Sequence, residues 1–161
     1  MLMQNMWDHA IELKKEFVPR KEKIHPLSRE ERGDVYKFIN EQLKKEYMYF
    51  RLLKSSQTAL VCFVEKKDGK KRMVQDYRYL NKWTIKNNYT LPLISDIVEN
   101  IDTKKVFNKL DLWWEYNIQI KKGDEWKVTF MTPEELFEPM VIFFKLINSL
   151  ATFQIMMNKI L

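Results

Sequence analysis

Along the chain, apolar positions change repeatedly between helical and strand spacing, and turn-forming residues fall at most of the changes. Val35, Phe38, Ile39 and Leu43 recur at helical spacing behind Ser28-Arg29-Glu30-Glu31. That Ser-x-x-Glu string has the form of a capping box, so a helix is predicted over residues 29–46. Residues 59–65 make a short, nearly continuous apolar run, and Lys67-Asp68-Gly69-Lys70 separates it from the strand-like residues 71–76. Asp-Gly between two such runs signals a hairpin, because Gly accepts the positive φ of the tight turn. Its tip is basic.

After Leu91-Pro92-Leu93, the residues Ile94, Ile97, Val98 and Ile101 predict a short helix, and residues 106–112 a strand with Asp111 at its end. Residues 121–125 read as a turn joining residues 117–120 to residues 126–131 in a second hairpin, with a further strand over 137–143. A last helix begins near Ala151 and runs into Leu161. Pro19 and Pro26 break residues 1–27, which read as an extended leader or connector. Residues 28–161 form one α+β unit without repeats.

Composition narrows the class: 45% hydrophobic and 14% aromatic residues exclude a disordered chain. The 28 Lys and Arg outnumber the 22 Asp and Glu, and the formal charge of +6 fits a polyanionic partner while also suiting basic proteins that bind none. Cys62 is the single cysteine, which excludes a disulfide within the chain and reads as a buried, inert thiol in a reducing compartment. No apolar stretch approaches the roughly 18–20 residues of a membrane span, so an intracellular protein without a membrane partner is expected. Glycine is scarce, at Gly33, Gly69 and Gly123 alone.

Candidate chemistry is sparse. A carboxylate at a strand end, such as Asp111, stands at a sheet rim where a metal ion can reach it; a plain strand-terminating surface carboxylate is the other reading. Lys66, Lys67, Lys70, Lys71 and Arg72 on one hairpin suit either a phosphate grip or a solvated tip. Tyr77, Tyr79, Trp83 and Tyr89 interleave with Arg78, Lys82 and Lys86, compatible with stacking on bases or sugars, although aromatic residues are more often core. His9 and His25 have no metal-ligand spacing around them and are assigned to structure.

Three strings carry a resemblance: FVEKKDGKKRMVQDYRYLNKWTIKNNYTLPLISDIVENI, KVFNKLDLWWEYNIQIKKGDEWKVTFMT and FFKLINSLATFQIMMNKIL. In order and spacing they resemble successive blocks of reverse transcriptases from Ty3/gypsy-type long-terminal-repeat retrotransposons, from about residue 25 onward. The resemblance implies a right-hand polymerase fold, with fingers over 28–86 and 121–144 and part of the palm between and after them. It implies an RNA-directed DNA polymerase that adds deoxynucleotides to a primer on an RNA or DNA template, using two Mg²⁺ ions. Position by position, Asp111 resembles the first metal-binding, catalytic aspartate. Lys66, Arg72 and Tyr116 match nucleotide-binding residues, and Arg78, Asn148 and Gln154 lie in template- or primer-proximal blocks.

The chain also departs from that pattern. Trp113 and Glu115 replace the usual Arg and Gly beside the strand end, Lys145 replaces Gly in the Phe-Gly-Leu-Thr-Asn block, Leu150 replaces Pro, and Glu135 stands where Gly commonly turns. No Tyr-x-Asp-Asp string occurs, and it is expected beyond Leu161. Inactivity of the isolated chain is therefore the expectation, and a non-catalytic nucleic-acid-binding remnant of a decayed retrotransposon is the alternative.

Overall fold

Ser28 and Glu31 form the capping box that their spacing predicts: the Ser28 N–H donates to Glu31 Oε2 at 2.9 Å, and the Glu31 N–H donates to Ser28 Oγ at 3.2 Å. In this computed structural model, which describes residues 8–44, 48–50, 55–65, 67, 69, 71–90, 93–102, 104–106, 118–133, 135–142 and 145–160, the box opens helix α1 (Arg29–Lys44). The helix buries Val35 and Ile39, with Phe38 and Leu43 packed beside them. Its expected last residues, 45 and 46, lie outside the described ones.

The basic hairpin forms as read. Strand β2 follows β1 (Met48–Phe50), covers Ala59–Glu65, and pairs antiparallel with β3 (Lys71–Asp76), from Leu60 opposite Asp76 to Glu65 opposite Lys71. Gly69 sits at φ +76°, the conformation for which the turn needs glycine. Helix α2 (Arg78–Trp83) follows directly, then α3 (Ile94–Asp102). Strands β4 (Phe130–Met131) and β5 (Leu136–Pro139) complete a five-stranded sheet in the order β1-β5-β4-β2-β3, and helix α4 (Ser149–Ile160) closes the chain. The β2–β4 contact is parallel and the other pairs are antiparallel, as an α+β layer arrangement allows.

The second hairpin takes a different form from the one expected. Residues 118–120 do not pair with 126–131; Gln119 bridges Val141 antiparallel, and the Ile142 N–H donates to Ile118 O at 2.9 Å. The turn is present, with Gly123 at φ +97° and the Asp124 N–H donating to Lys121 O. After it the chain makes a 3₁₀ turn (Glu125–Val128) in place of a strand. Asp124 and Lys127 favour that turn through a side-chain ion pair and a Lys127 N–H bond to Asp124 O at 3.0 Å. The same pair grips the leader: Asp124 Oδ2 accepts the Ile11 N–H at 2.7 Å, and Lys127 Nζ donates to Ile11 O at 2.7 Å. A local three-residue spacing thus defeats the strand pattern.

Residues 8–27 are extended, as expected, and they also enter the body. His9 bridges Ile120, Leu13 bridges Thr84 and Lys21 bridges Thr58, while Ile11 and Leu27 join the core. His9 is buried beside α4, with Nδ1 2.8 Å from Thr152 Oγ1. The Thr152 hydroxyl donates to Asn148 O at 3.0 Å, so it accepts from His9, and the imidazole is the neutral Nδ1–H tautomer. His25 is exposed.

The core centres on Tyr77, Leu80, Val128, Phe130, Phe137 and Ile142. Phe130 and Phe137 stack across β4 and β5 with ring centroids 5.7 Å apart. The Tyr77 hydroxyl, wholly inside, donates to Val128 O at 2.8 Å, and burial pushes its ionisation far above the usual phenol range. Tyr77→Phe leaves that carbonyl buried without this donor, and a denaturant melt is expected to show a loss of about 1–2 kcal/mol. An unchanged midpoint would mean that the bond contributes nothing.

One apolar expectation is corrected. Cys62 is half-buried, not sealed in the core. The stripe on α3 faces outward, with Ile94, Val98 and Ile101 exposed, as are Leu93 and Val106 on either side. Apart from Val106, which belongs to no named strand, the strand expected over 106–112 lies outside the described residues.

Candidate nucleic-acid interface

The described candidate residues cluster on two faces, and three others, Lys66, Asp111 and Tyr116, lie outside the described residues. On the hairpin, Arg72 stands opposite Val64 in the β2–β3 ladder and is exposed. Its neighbour Lys71 is committed: Nζ meets Glu31 Oε1 at 2.8 Å and ties the hairpin base to α1. That bond holds the Glu31 carboxyl below the usual range and the Lys71 ammonium above it. Among the described hairpin cations, Lys71 is thus paired with Glu31, and Lys67 and Arg72 are exposed beside it.

At the other end of β3, Asp76 accepts from Arg78 Nε and Nη2, at 2.9 Å to Oδ1 and 2.6 Å to Oδ2, and from the Arg78 N–H at 3.0 Å. The guanidinium keeps the Asp76 carboxyl below its usual range, and the carboxylate raises Arg78 in turn. The Arg78 side chain is nevertheless 91% exposed, so its outer edge faces solvent. The aromatic residues around it divide. Tyr77 is core, whereas Tyr79 packs against Phe17 (6.0 Å) and Trp83 (6.5 Å) with Arg20 over its ring at 5.1 Å. These rings spend much of their area within the protein, as the core-packing reading of the series implies.

Asn148, the residue before α4, is buried and its amide is fully engaged: Nδ2 donates to Ile85 O at 2.8 Å, and Oδ1 accepts the Asn87 N–H at 3.0 Å. It fixes residues 85–87 against α4. Gln154 Nε2 donates to Asn158 Oδ1 (2.7 Å), and Asn158 Nδ2 to the Tyr89 hydroxyl (2.7 Å), so this polar row lines the side of α4 nearest Tyr89. Between the leader, residues 85–88 and α4 lies a groove of about 420 Å³ whose walls carry Lys86 together with Asp8 and Glu12. That mixed lining does not single out an anion.

Asn81 is a residue that sequence reasoning missed. Its Nδ2 donates to Lys145 O at 2.6 Å and its Oδ1 accepts the Ile147 N–H at 3.1 Å, which clamps the turn before α4. The partners lie far along the chain, so no local spacing could announce them. The clamped turn has Lys145 at φ +91°, the one non-glycine residue with positive φ among those described. A position that favours glycine carries lysine, at a strain of about 1 kcal/mol. Glu135, by contrast, turns without positive φ, accepting from Thr132 and donating its N–H to Thr132 Oγ1.

No group of three His, Cys, Asp or Glu able to hold a metal ion occurs among the described residues, and no described helix is long and apolar enough to cross a membrane.

Comparison with known proteins places this geometry. No family model matches the chain. It is similar to the Transposon Tf2-3 and Tf2-7 polyproteins of Schizosaccharomyces pombe (strain 972 / ATCC 24843), each 40% identical over 124 residues, or 76% of this chain. The chain spans 9% of the length of these curated relatives. Among solved structures, the native Prototype Foamy Virus protease–reverse transcriptase matches with a TM-score of 0.72 at 20% identity, over 94% of this chain and 20% of that one. The foamy viral protease–reverse transcriptase in complex with dsDNA matches with a TM-score of 0.68 at 19% identity, over 96% of this chain and 30% of that one. The fold is thus that of the fingers and part of the palm of a right-hand polymerase, and the chain is a reverse-transcriptase-like domain of the Ty3/gypsy retrotransposon type.

Proposed function

We propose that the chain is the nucleic-acid-binding framework of an RNA-directed DNA polymerase, holding an RNA or DNA template-primer and a deoxynucleoside triphosphate for primer extension. The observation that carries this reading is the sequence kinship over 76% of the chain joined to a reverse-transcriptase fold over 94% of it. In it, Lys66 and Arg72 neutralise triphosphate oxygens at the hairpin, with Arg72 the bidentate donor. Tyr116 lies under the sugar. Arg78 faces the strand backbone, and Asn148 and Gln154 set the position of α4 beside the template.

The implied cofactor is a pair of Mg²⁺ ions, which supply charge neutralisation for phosphoryl transfer, with Asp111 as this chain's ligand. The described residues by themselves do not make a metal centre, and the sequence contains no adjacent Asp pair to accompany Asp111. One carboxylate does not hold two ions, so the isolated chain is expected to bind without extending primers. A purely binding remnant is the second reading, and the strained Lys145 is the observation that favours it.

Binding through Lys and Arg to phosphates has a thermodynamic signature. Affinity for a primed duplex or single-stranded RNA, read by fluorescence anisotropy, is expected to fall by about 0.7–0.9 log unit per log salt for each phosphate neutralised. Lys66→Ala and Arg72→Ala are expected to weaken it with little dependence on sequence. Folded protein that binds nothing at low salt, or binds independently of salt, contradicts the proposal.

A further inference from the structure

Hydrogen bonds run from the leader to α4 and back to the leader in a closed circuit. The His9 Nδ1–H donates to Thr152 Oγ1 at 2.8 Å, and that hydroxyl donates to Asn148 O at 3.0 Å. Asn148 Nδ2 donates to Ile85 O at 2.8 Å, while its Oδ1 accepts the Asn87 N–H at 3.0 Å. The Ile85 N–H then donates to Glu12 O at 2.8 Å, three residues on from His9. Between those two ends the leader is held from its other side. Ile11, 2% exposed, has its N–H on Asp124 Oδ2 and its carbonyl on Lys127 Nζ, both at 2.7 Å, and the His9 backbone bonds to Gln119 and Lys121. Glu12, Ile85, Asn87, Asn148 and Thr152 also line the groove of about 420 Å³, so the circuit ties its walls together.

We infer that residues 9–12 are a positioning strap: docking of the leader fixes Asn148, and through it residues 85–87 and the start of α4, in one arrangement. Its bearing on a template rests on the reading above, in which Asn148 and α4 stand beside the strand. Asn148 turns its amide inward, so it acts through the segment it holds. The Asp124 side chain bonds to Ile11 and Lys127 and, among the described residues, to neither 85–87 nor α4. Coupling through such a circuit is reciprocal, so what loosens either end loosens the other. Buried polar members of a network left without partners make each break costly.

Hydrogen exchange on the full chain and its variants tests the coupling. Asp124→Ala frees the Ile11 N–H, and the amides of Ile85 and Asn87 are expected to exchange on the order of tenfold faster relative to those of the β2–β3 ladder. Thr152→Val cuts the circuit at α4 and is expected to speed exchange at Ile11 and Lys121 in the same way, while Thr152→Ser, which keeps the hydroxyl, restores it. If Asp124→Ala does not fold, the Thr152 pair decides. Acceleration that includes the ladder equally, or that stays at the residues each variant touches, overturns the strap. Affinity for a primed duplex adds a test of sign. Removal of a carboxylate strengthens binding to phosphates if charge is all that matters, whereas the strap predicts that Asp124→Ala weakens it by about 3- to 30-fold with an unchanged salt slope. Tighter binding overturns the strap's role beside the template. A wild-type chain that binds no nucleic acid at low salt removes the proposed function, and the exchange result then decides the strap by itself.

Discussion

Acidifying the folded chain from pH 7 to pH 4 is expected to remove about 3 kcal/mol of stability through His9 alone. Burial lowers this imidazole from 6.5 to about 4, and the charge of Asp124, which acts in the opposite direction, does not offset it. The neutral Nδ1–H form donates to Thr152 in the native state. An unfolded chain takes up a proton near 6.5 and the folded chain only near 4. The stabilisation is thus fully present above 6.5, is lost as pH falls between those values, and falls no further below about 4. Urea melts at several pH values check this, with His9→Gln as the reference that keeps a donor and cannot titrate. Parallel pH profiles for the two proteins would show that His9 is not the titrating group. Because His9 joins the leader to α4, the acid-weakened region is expected to begin at that junction, with early loss of amide protection at His9 and Lys121.

Where sequence and structure agree, the signal is local. Ser28 and Glu31 stand three residues apart and close on each other, and Gly69, at positive φ, lies between two strands whose own patterns support the hairpin. The blocks around Arg72, Arg78, Asn148 and Gln154 identify the family because their order survives, and the 40% identity to the Tf2 polyproteins bears that out. The glycine-requiring turn at Lys145 was legible too, since only a positive φ makes lysine costly there, and the backbone has it.

What escaped was non-local or a contest between local signals. Residues 126–128 have strand-like composition, yet Asp124 and Lys127 close a 3₁₀ turn and clasp Ile11, more than a hundred positions earlier. The Asn81 clamp on residues 145–147 and the Asn148 clasp on residues 85–87 are side-chain to backbone bonds across the fold, and a lone Asn has no pattern around it. The sequence leaves Lys71 open between a phosphate grip and a solvated tip, and only the fold shows its pairing with Glu31, forty positions earlier. The leader looked separable because two prolines break it; its bridges to Thr58, Thr84 and Ile120 are backbone contacts that any side chain permits.

The largest expected effect concerns chemistry. If this chain is the fingers-and-palm framework of an RNA-directed DNA polymerase, two departures bear most directly on chemistry: no Tyr-x-Asp-Asp string accompanies Asp111 in the sequence, and Glu115 replaces a glycine of the family pattern. Joining a palm segment that carries Tyr-x-Asp-Asp after Leu161, with Glu115→Gly, is expected to produce Mg²⁺-dependent extension of a primed template. Phosphoryl transfer draws most of its acceleration from charges held in place before the reaction, so removing one ligand carboxylate is severe. Primer extension by this fusion and by its Asp111→Ala counterpart is the direct measurement. The expected result is extension by the former and a loss on the order of a thousandfold in the latter. Equal extension by both, or none by a fusion that circular dichroism shows to be folded, would contradict the assignment of Asp111 and of the polymerase framework built around it.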